Sequence, residues 1–389
     1  TKSGEILKLN GKWEFYWGEL LTPETIKNPE TRPSYIDVPA IWNNLYIQGR
    51  DLDGQGYATY RLKILLNNPP ENLSLDIPNV YSAYKLFVNG HEIAQNGSIG
   101  IDKATSQPEW NPKLKIFQSS DTVEIICQVS NYHHERGGIH KPLFIGDFDN
   151  ISSLREKRIV ANMMLTGGLI VLAGFFIVFF ALRPQERSSL YFGLFCLLWA
   201  VRSVFSNIYL VSSFFDLSWS FALRIEYLSL YTSVLFGVLF LNEVFNKNGN
   251  QLVKSIIIIV SCIFVALTIM LPTVLFTQLL PAYQIFVAIN LVYAIYMITK
   301  ALFENQAEAW FSAMSMLMGV ALFGYEMINY LLILKLNLVF LNVAYLSVFF
   351  LNSLVLAYQF VETYKQAHDK ALQEADKKTG WVRGKRLQV

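Results

Sequence analysis

Seven apolar runs follow one another through the second half of the chain with only short polar gaps between them. They are Arg158 to Leu182, Ser188 to Leu210, Ser218 to Val244, Leu252 to Leu271, Leu279 to Phe303, Trp310 to Leu334 and Asn337 to Tyr364. Each is near the ~20 residues with which a helix crosses ~30 Å of hydrocarbon. A helix satisfies its own backbone donors and acceptors there, which an open strand or a loop does not. The pattern therefore predicts an all-α bundle of seven transmembrane helices.

The first 150 residues follow a different rule. Gly11 to Trp17, Ala58 to Leu66, Leu73 to Ile77, Ala83 to Val88, Thr122 to Ser130 and Lys141 to Ile145 are short β-rich runs separated by Pro, Gly and Asn. Asn89-Gly90 lies between two of the short apolar stretches and marks a hairpin, because a type I′ turn needs positive φ at both central residues. Many short strands at this spacing predict an all-β sandwich or jelly roll. The expected organisation is a β domain over 1–150, a seven-helix bundle over 151–365 and a helical stalk over 366–389, joined by a linker from Gly146 to Lys157.

Charge then orients the bundle, since Lys and Arg are retained on the cytoplasmic side of a membrane. Connections on one side carry Arg183, Arg187, Lys247, Lys254 and Lys300; those on the other carry Asp216, an uncharged Pro272 to Gln278 and Lys335. The β domain is expected outside and the C-terminus inside. Arg155, Lys157 and Arg158 run against this bias, which an exported domain overrides. No export signal precedes Thr1, so a mature or trimmed chain is expected. A 53% hydrophobic content with mean hydropathy +0.32 averages a membrane block and a soluble one, and the net charge of +2 leaves no basic face for nucleic acid. Cys127 is the one cysteine outside the spans, against Cys196 and Cys262 within them, so no disulfide staples the β domain.

Three stretches of the β region, Leu9-Asn10-Gly11-Lys12-Trp13-Glu14-Phe15, Gly56-Tyr57-Ala58-Thr59-Tyr60-Arg61 and Tyr84 to Ile93 with its Asn89-Gly90, resemble the galactose-binding-like jelly rolls ahead of β-galactosidase catalytic domains. Joined to seven spans, with Arg224 to Tyr231 opening the third and Asn131 to Gly138 closing the outer domain, the chain resembles the bacterial seven-transmembrane receptors with diverse intracellular signalling modules. The resemblance covers about 1–365. It implies sensing rather than catalysis, in the bacterial cytoplasmic membrane, with a cyclase, kinase or phosphatase as the cytoplasmic effector. It imports no glycosidase site.

Sugars are held by aromatic faces and polar groups that match hydroxyls. Trp110, within Gln107 to Pro112, and Tyr132, His133 and Arg136, within the polar run before Gly137-Gly138, are the candidate ligand-binding residues. The competing account has Trp110 covering a sandwich end and Arg136 docking on the membrane block. Trp13, Trp17 and Trp42 belong to a core, and Arg61 braces a strand. Asp51-Leu52-Asp53-Gly54 lacks the later Glu of a calcium loop, and adjacent histidines on a strand face opposite ways, so no metal is expected. No phosphate loop or nucleophile elbow occurs and no cofactor is expected.

Inside the spans an ionisable side chain needs a partner or water. Arg202, Arg224, Glu226 and Glu326 fall in one layer of the outer half, and Asn207, Gln284, Asn329, Asn337 and Asn342 lie at comparable depth. Two positions apart on a helix, Arg224 and Glu226 do not face each other. Arg202 is therefore expected to pair with Glu226 or Glu326, and Arg224 to reach the outer surface. The layer is either a static brace or a relay that receives the outer domain or a small ligand. A retinal protein is excluded because Asn337 to Tyr364 holds no lysine for a Schiff base. A eukaryotic-type G-protein-coupled receptor is poorly supported, since the third span ends Leu241 to Phe245 without its acidic-Arg-Tyr signature.

The seventh span is expected to run on as one helix. Ala357, Val361, Tyr364, His368, Ala371 and Ala375 recur in alternating steps of four and three, a weak heptad seam through which a homodimer is expected to form. Lys370, Glu374 and Lys378 add charge pairs on its surface. The expected function is a transmembrane receptor for an extracytoplasmic carbohydrate or cell-envelope fragment. The alternative is a transporter with an accessory carbohydrate-binding domain, although no span is interrupted by proline.

Overall fold

The computed structural model describes residues 6–43, 45–67, 69–206, 208–245, 251–332 and 337–386. Asn207, Lys247 and Lys335 lie outside the described residues, as do the side chains of Glu374, Ala375 and Lys378.

Twelve strands build the N-terminal domain: β1 (Leu7–Lys8), β2 (Gly11–Trp17), β3 (Ser34–Val38), β4 (Tyr46–Ile47), β5 (Arg50–Asp51), β6 (Gly56–Leu65), β7 (Asn72–Ile77), β8 (Ala83–Val88), β9 (His91–Asn96), β10 (Lys113–Gln118), β11 (Thr122–Asn131) and β12 (Phe144–Asp147). One antiparallel sheet has the order β1-β12-β7-β10, a second the order β3-β2-β6-β11-β8-β9, and β4 pairs with β5. The core between the two larger sheets is aromatic, with Trp13, Phe15, Trp42, Tyr60 and Tyr84 fully buried. The hairpin joining β8 to β9 turns at Asn89 and Gly90, both at positive φ. Arg61 on β6 bonds Glu14 on β2 and Glu124 on β11, bracing the middle of the larger sheet.

Among the strands outside the expected runs, β3 and β10 are sheet edges. In β3 the alternation spans only Tyr35 to Val38, with Tyr35 and Asp37 exposed and Ile36 and Val38 buried, and β10 carries the adjacent exposed Lys115 and Ile116. The last strand is shifted relative to the sequence expectation. Pro142 cannot donate to a ladder, the strand starts at Phe144, and Lys141 is left in a loop.

The stretch 146–157, expected as a linker, is the end of β12 and the start of a helix. Helix α1 (Phe148–Leu182) starts directly after β12, capped by the Asp147 carboxylate, which accepts from the Asp149 N–H. At 35 residues it is ~52 Å long, more than a bilayer needs, and its first turns belong to the β domain. Then follow α2 (Arg187–Phe205), α3 (Trp219–Phe245), α4 (Gln251–Met270), the short α5 (Thr273–Gln278), α6 (Leu280–Phe303), α7 (Ala309–Leu332) and α8 (Leu338–Arg386). The second span stops five residues short of the expected Leu210, because the chain turns extended at Ser206 and left-handed at Tyr209. α8 continues through Gly380 as a single 49-residue helix.

Seven of the helical segments are long and apolar enough to cross a membrane. Their outer faces are bare: Val171 and Phe175 on α1, Ile259 and Ile263 on α4, and Val292 on α6 are all exposed. In water such a belt would aggregate, whereas in lipid it is the solvated surface. Inside the belt, Phe192, Phe240 and Phe349 pack one cluster and Tyr231, Phe276 and Tyr283 another, nearer the β domain.

The paired glycines before the last strand are spatial necessities. A Cβ on Gly137 would stand 2.2 Å from the Gly54 carbonyl oxygen and 2.4 Å from the Trp42 ring, whose N–H donates to the Tyr60 hydroxyl. Gly137→Ala should therefore destabilise the β domain by about 1–3 kcal/mol in thermal unfolding. Gly167→Ala, where the added carbon meets nothing, should be neutral or stabilising. Equal melting of Gly137→Ala and the parent would refute the close approach.

Candidate functional site

The β domain is seated on the bundle by an aromatic plug. Trp110 stands on the loop between β9 and β10, which Asn96 holds by donating to the Glu109 carbonyl and Ser82 by accepting from the Glu109 N–H. Its ring packs 5.0 Å from Tyr209, in the loop after α2, and 5.3 Å from Trp219, at the start of α3. Behind it, Tyr81 is stacked between His134, at 4.2 Å, and His140, at 3.9 Å. The Glu135 N–H donates to Thr277 Oγ1 on α5, a second attachment. A third is ionic: Asp76 on β7 meets Arg158 at 3.1 Å and Arg155 at 3.7 Å, both from the first turns of α1, and Arg155 also donates to the Pro112 carbonyl.

Beneath this seat lies a cavity of about 500 Å³. That is within the ~300–1,000 Å³ usual for small-molecule sites. Its roof belongs to the β domain, through Asn79, Tyr81, Trp110, His140 and Lys141. The upper wall carries Arg202 on α2, Glu226 on α3 and Glu326 on α7. Arg202 donates through Nη1 to the Glu226 backbone carbonyl at 3.1 Å, and its charge acts on both carboxylates. The Tyr209 hydroxyl donates to Glu226 Oε2 at 3.2 Å, and Tyr345 on α8 hydrogen-bonds Glu326. Lys141 completes the set from above, in electrostatic reach of Glu226. Further down the wall turns apolar, with Phe195, Leu230, Val234, Val287 and Phe349, and near the foot Asn352 donates to Ser315 Oγ.

The residues singled out from the sequence divide. Trp110, Arg136, Arg202, Glu226 and Glu326 all line this cavity. Tyr132 and His133 do not: both turn to the neighbouring loop, Tyr132 donating to the Ile101 carbonyl and His133 bonding the Ser106 carbonyl. Arg224 stands apart from the other intramembrane charges. Partly exposed, its guanidinium donates to the carbonyls of Thr268, Ile269 and Leu271 at the end of α4 and lies over the Phe276 ring. Gln284 and Asn329 line the cavity, while Asn337 caps α8 by accepting from the Phe340 N–H. Asp53 and Gly54 form a turn whose Gly54 carbonyl accepts from Asn131. Sequence reasoning missed Asn79, Tyr81, His140, Lys141 and Tyr345. No local pattern marks them, because their role arises only when the β domain meets the bundle.

Burial sets the protonation of the seat. His134 is pushed down to about 3 by desolvation, and His140 also lies well below the imidazole range for the same reason, with Lys141 adding to it. Burial raises Asp76 and Glu135, against their arginine neighbours. A histidine whose folded pKa is depressed contributes stability above its unfolded value of 6.5 and loses it as pH falls toward the folded value. Each should cost about 1.4 kcal/mol per pH unit below that point. The carboxylates run the other way: their raised pKa values favour the fold below the unfolded carboxylate range, and that benefit fades as pH rises. The parent should thus lose more melting temperature between pH 7 and pH 5 than a His134→Phe, His140→Phe variant, which keeps the rings and removes the protonation. Parallel loss in the two proteins would show that these imidazoles are not buried neutral.

The sequence of residues 158–359, about half the chain, matches the family described as 7TM diverse intracellular signalling. No curated protein matches the chain. Among solved structures, the β-glucuronidase of Ruminococcus gnavus is similar at 13% identity over 36% of this chain and 29% of that one, with a TM-score of 0.28. A β-glucuronidase from an uncultured Clostridium sp. is similar at 17% identity over 36% of this chain and 28% of that one, with the same TM-score of 0.28. The chain thus spans less than a third of the enzymes it matches, and a likeness this weak says nothing of activity. The seven apolar helices, the β domain seated on them and the match over residues 158–359 lead to one conclusion: the chain belongs to the 7TM diverse intracellular signalling family of membrane sensory receptors.

Proposed function

We propose that the chain is a transmembrane receptor that binds an extracytoplasmic ligand, a carbohydrate or a cell-envelope fragment, and passes the event through its bundle to a cytoplasmic effector. In this reading the β domain lies outside the bacterial cytoplasmic membrane and the end of α8 lies inside. The observation that carries it is a single helix with two surroundings. α8 lines the cavity through Tyr345, Val348, Phe349 and Asn352, and continues unbroken to Arg386 on the side away from the β domain. A ligand that changes how the roof and the charged layer pack must differ in affinity between two bundle arrangements, and α8 then reports the difference. Ala357, Val361, Tyr364, His368 and Ala371 are exposed along that helix, as are most of their neighbours, so a homodimer seam rests on their heptad spacing.

The depth of the cavity favours a second reading, transport, because polar residues continue to Ser315 and Asn352 near its foot. One experiment separates the two. Spin labels at Lys254→Cys and Lys365→Cys, with the exposed Cys262 replaced by serine, report the spacing of α4 and α8 in the reconstituted chain. Soluble muropeptides and cell-wall oligosaccharides should shift this distance, and Arg202→Ala should abolish the shift. Unchanged distances with every fragment would sink the receptor reading, and uptake of the same fragments by proteoliposomes would establish transport instead.

A further inference from the structure

The cavity has a chemical asymmetry that narrows what it can hold. At its mouth the cationic and anionic side chains are equal in number. Arg202, Lys141 and Arg136 stand against Glu226, Glu326 and Glu135: Arg136 pairs with Glu135 at 3.6 Å, Arg202 donates to the Glu226 backbone carbonyl, and Lys141 is in electrostatic reach of Glu226. No net charge is left over to select an ion. What remains without a partner is neutral: both amide atoms of Asn79, the indole N–H of Trp110, Nδ1 of His140 and Oδ1 of Asn329. Asn79, Trp110 and Asn329 are each at least nine-tenths buried, and all of these residues line the cavity. A buried donor or acceptor left unpaired costs the full price of its desolvation, so such a cluster marks a place where a guest supplies the missing bonds.

Below this mouth the wall is hydrocarbon. Glu226 and Phe240, on the same face of the cavity, are separated by ~21 Å of α3 at 1.5 Å per residue. The intervening lining, Leu230, Val234 and Val238 opposite Val287, Leu291 and Phe323, gives water little to bond. Asn290 Oδ1 and Ser312 Oγ are unpartnered lower down and permit an oxygen along the guest, again without charge.

Resting on the receptor reading above, we propose that the cavity binds an uncharged single-chain amphiphile. Its hydroxyl- or amide-rich head sits among Asn79, Trp110, His140 and Asn329, and its chain runs down between α3, α6 and α7. The β domain thereby reads the head and the bundle reads the tail, so a free sugar or a free hydrocarbon satisfies only half of the site.

The test uses 1-monodecanoylglycerol and the full chain in lipid nanodiscs, with bound molecules counted by native mass spectrometry. One saturable molecule per chain is expected. Decanoate and decyltrimethylammonium, which carry a charge the mouth cannot answer, should bind at least about tenfold more weakly, and glycerol alone should not bind. Gly319 lines the shaft and a Cβ there meets nothing, so Gly319→Leu fills the chain path without disturbing the helix. Asn79→Leu removes the head contacts and an unpaired amide together. Each variant should weaken binding about tenfold or more. Absent saturable binding, equal binding of the charged amphiphiles, or undiminished binding to Gly319→Leu would each overturn the proposal. If the amphiphile binds while the α4 to α8 distance stays fixed, the site stands and the receptor reading falls. If the distance answers cell-wall oligosaccharides while no amphiphile binds, only the amphiphile is lost.

Discussion

An ion taken into hydrocarbon has to bring its own solvation, and the upper third of this bundle is built around that constraint. Arg202, Glu226 and Glu326 come from three helices and meet in one layer, where the guanidinium also takes the Glu226 carbonyl. Any of them alone would cost several kcal/mol at that depth. Helices α2, α3 and α7 are thus held together at the layer by mutual need, and the polar lining of the cavity follows. The β domain enters the same account. Lys141 and Tyr81 close the layer from above, and Tyr209 closes it from the side with its hydroxyl on Glu226 and its ring on Trp110. Tyr209 adopts left-handed backbone angles, φ 53° and ψ 49°, which a tyrosine accepts only where its surroundings over-determine it.

The second arginine of the layer shows that depth alone does not decide the role of a charge. Arg224 is two residues from Glu226, which on a helix sends the two side chains to different sides. It meets the end of α4, where carbonyls are unpaired by the helix rule, and closes them in place of a further turn. The turn into α5 follows at once, with Pro272 before it, so Arg224 supports the small helix whose Thr277 receives the β domain.

The sequence made the seven spans legible because a run of apolar residues has one length scale in a membrane, and that scale needs no tertiary information. The hairpin at Asn89-Gly90 was legible for a similar reason, since its backbone requirement is local. Strands β3 and β10 were not: β3 alternates over only four residues, Tyr35 to Val38, and β10 does not alternate, with Lys115 and Ile116 both exposed. The role of Arg155 and Arg158 was hidden for another cause. From the chain they count as misplaced loop charge, whereas in space they answer Asp76 on β7, about eighty residues away. The charged layer could be inferred from depth. Its closure by Lys141, His140 and Asn79 could not, because that depends on how a β domain sits on a bundle and no residue pattern encodes the docking.

That docking gives the β domain two holds on α8 with different mechanics. One passes through the cavity, where the roof and Tyr345 share the charged layer and a guest would stand between them. The other is stiff. Asp76 fixes the first turns of α1, and α1 packs along α8 for most of its span, with Gly168 leaving room for Leu346 and Phe179 meeting Phe360 at 5.4 Å near the far end. Under the receptor function proposed above, an occupant of the cavity would act on α8 through the first hold while the second keeps α1 in place. The domain is held by ions and aromatics at its rim, while polar atoms of Asn79, Trp110 and His140 over the cavity are without partners.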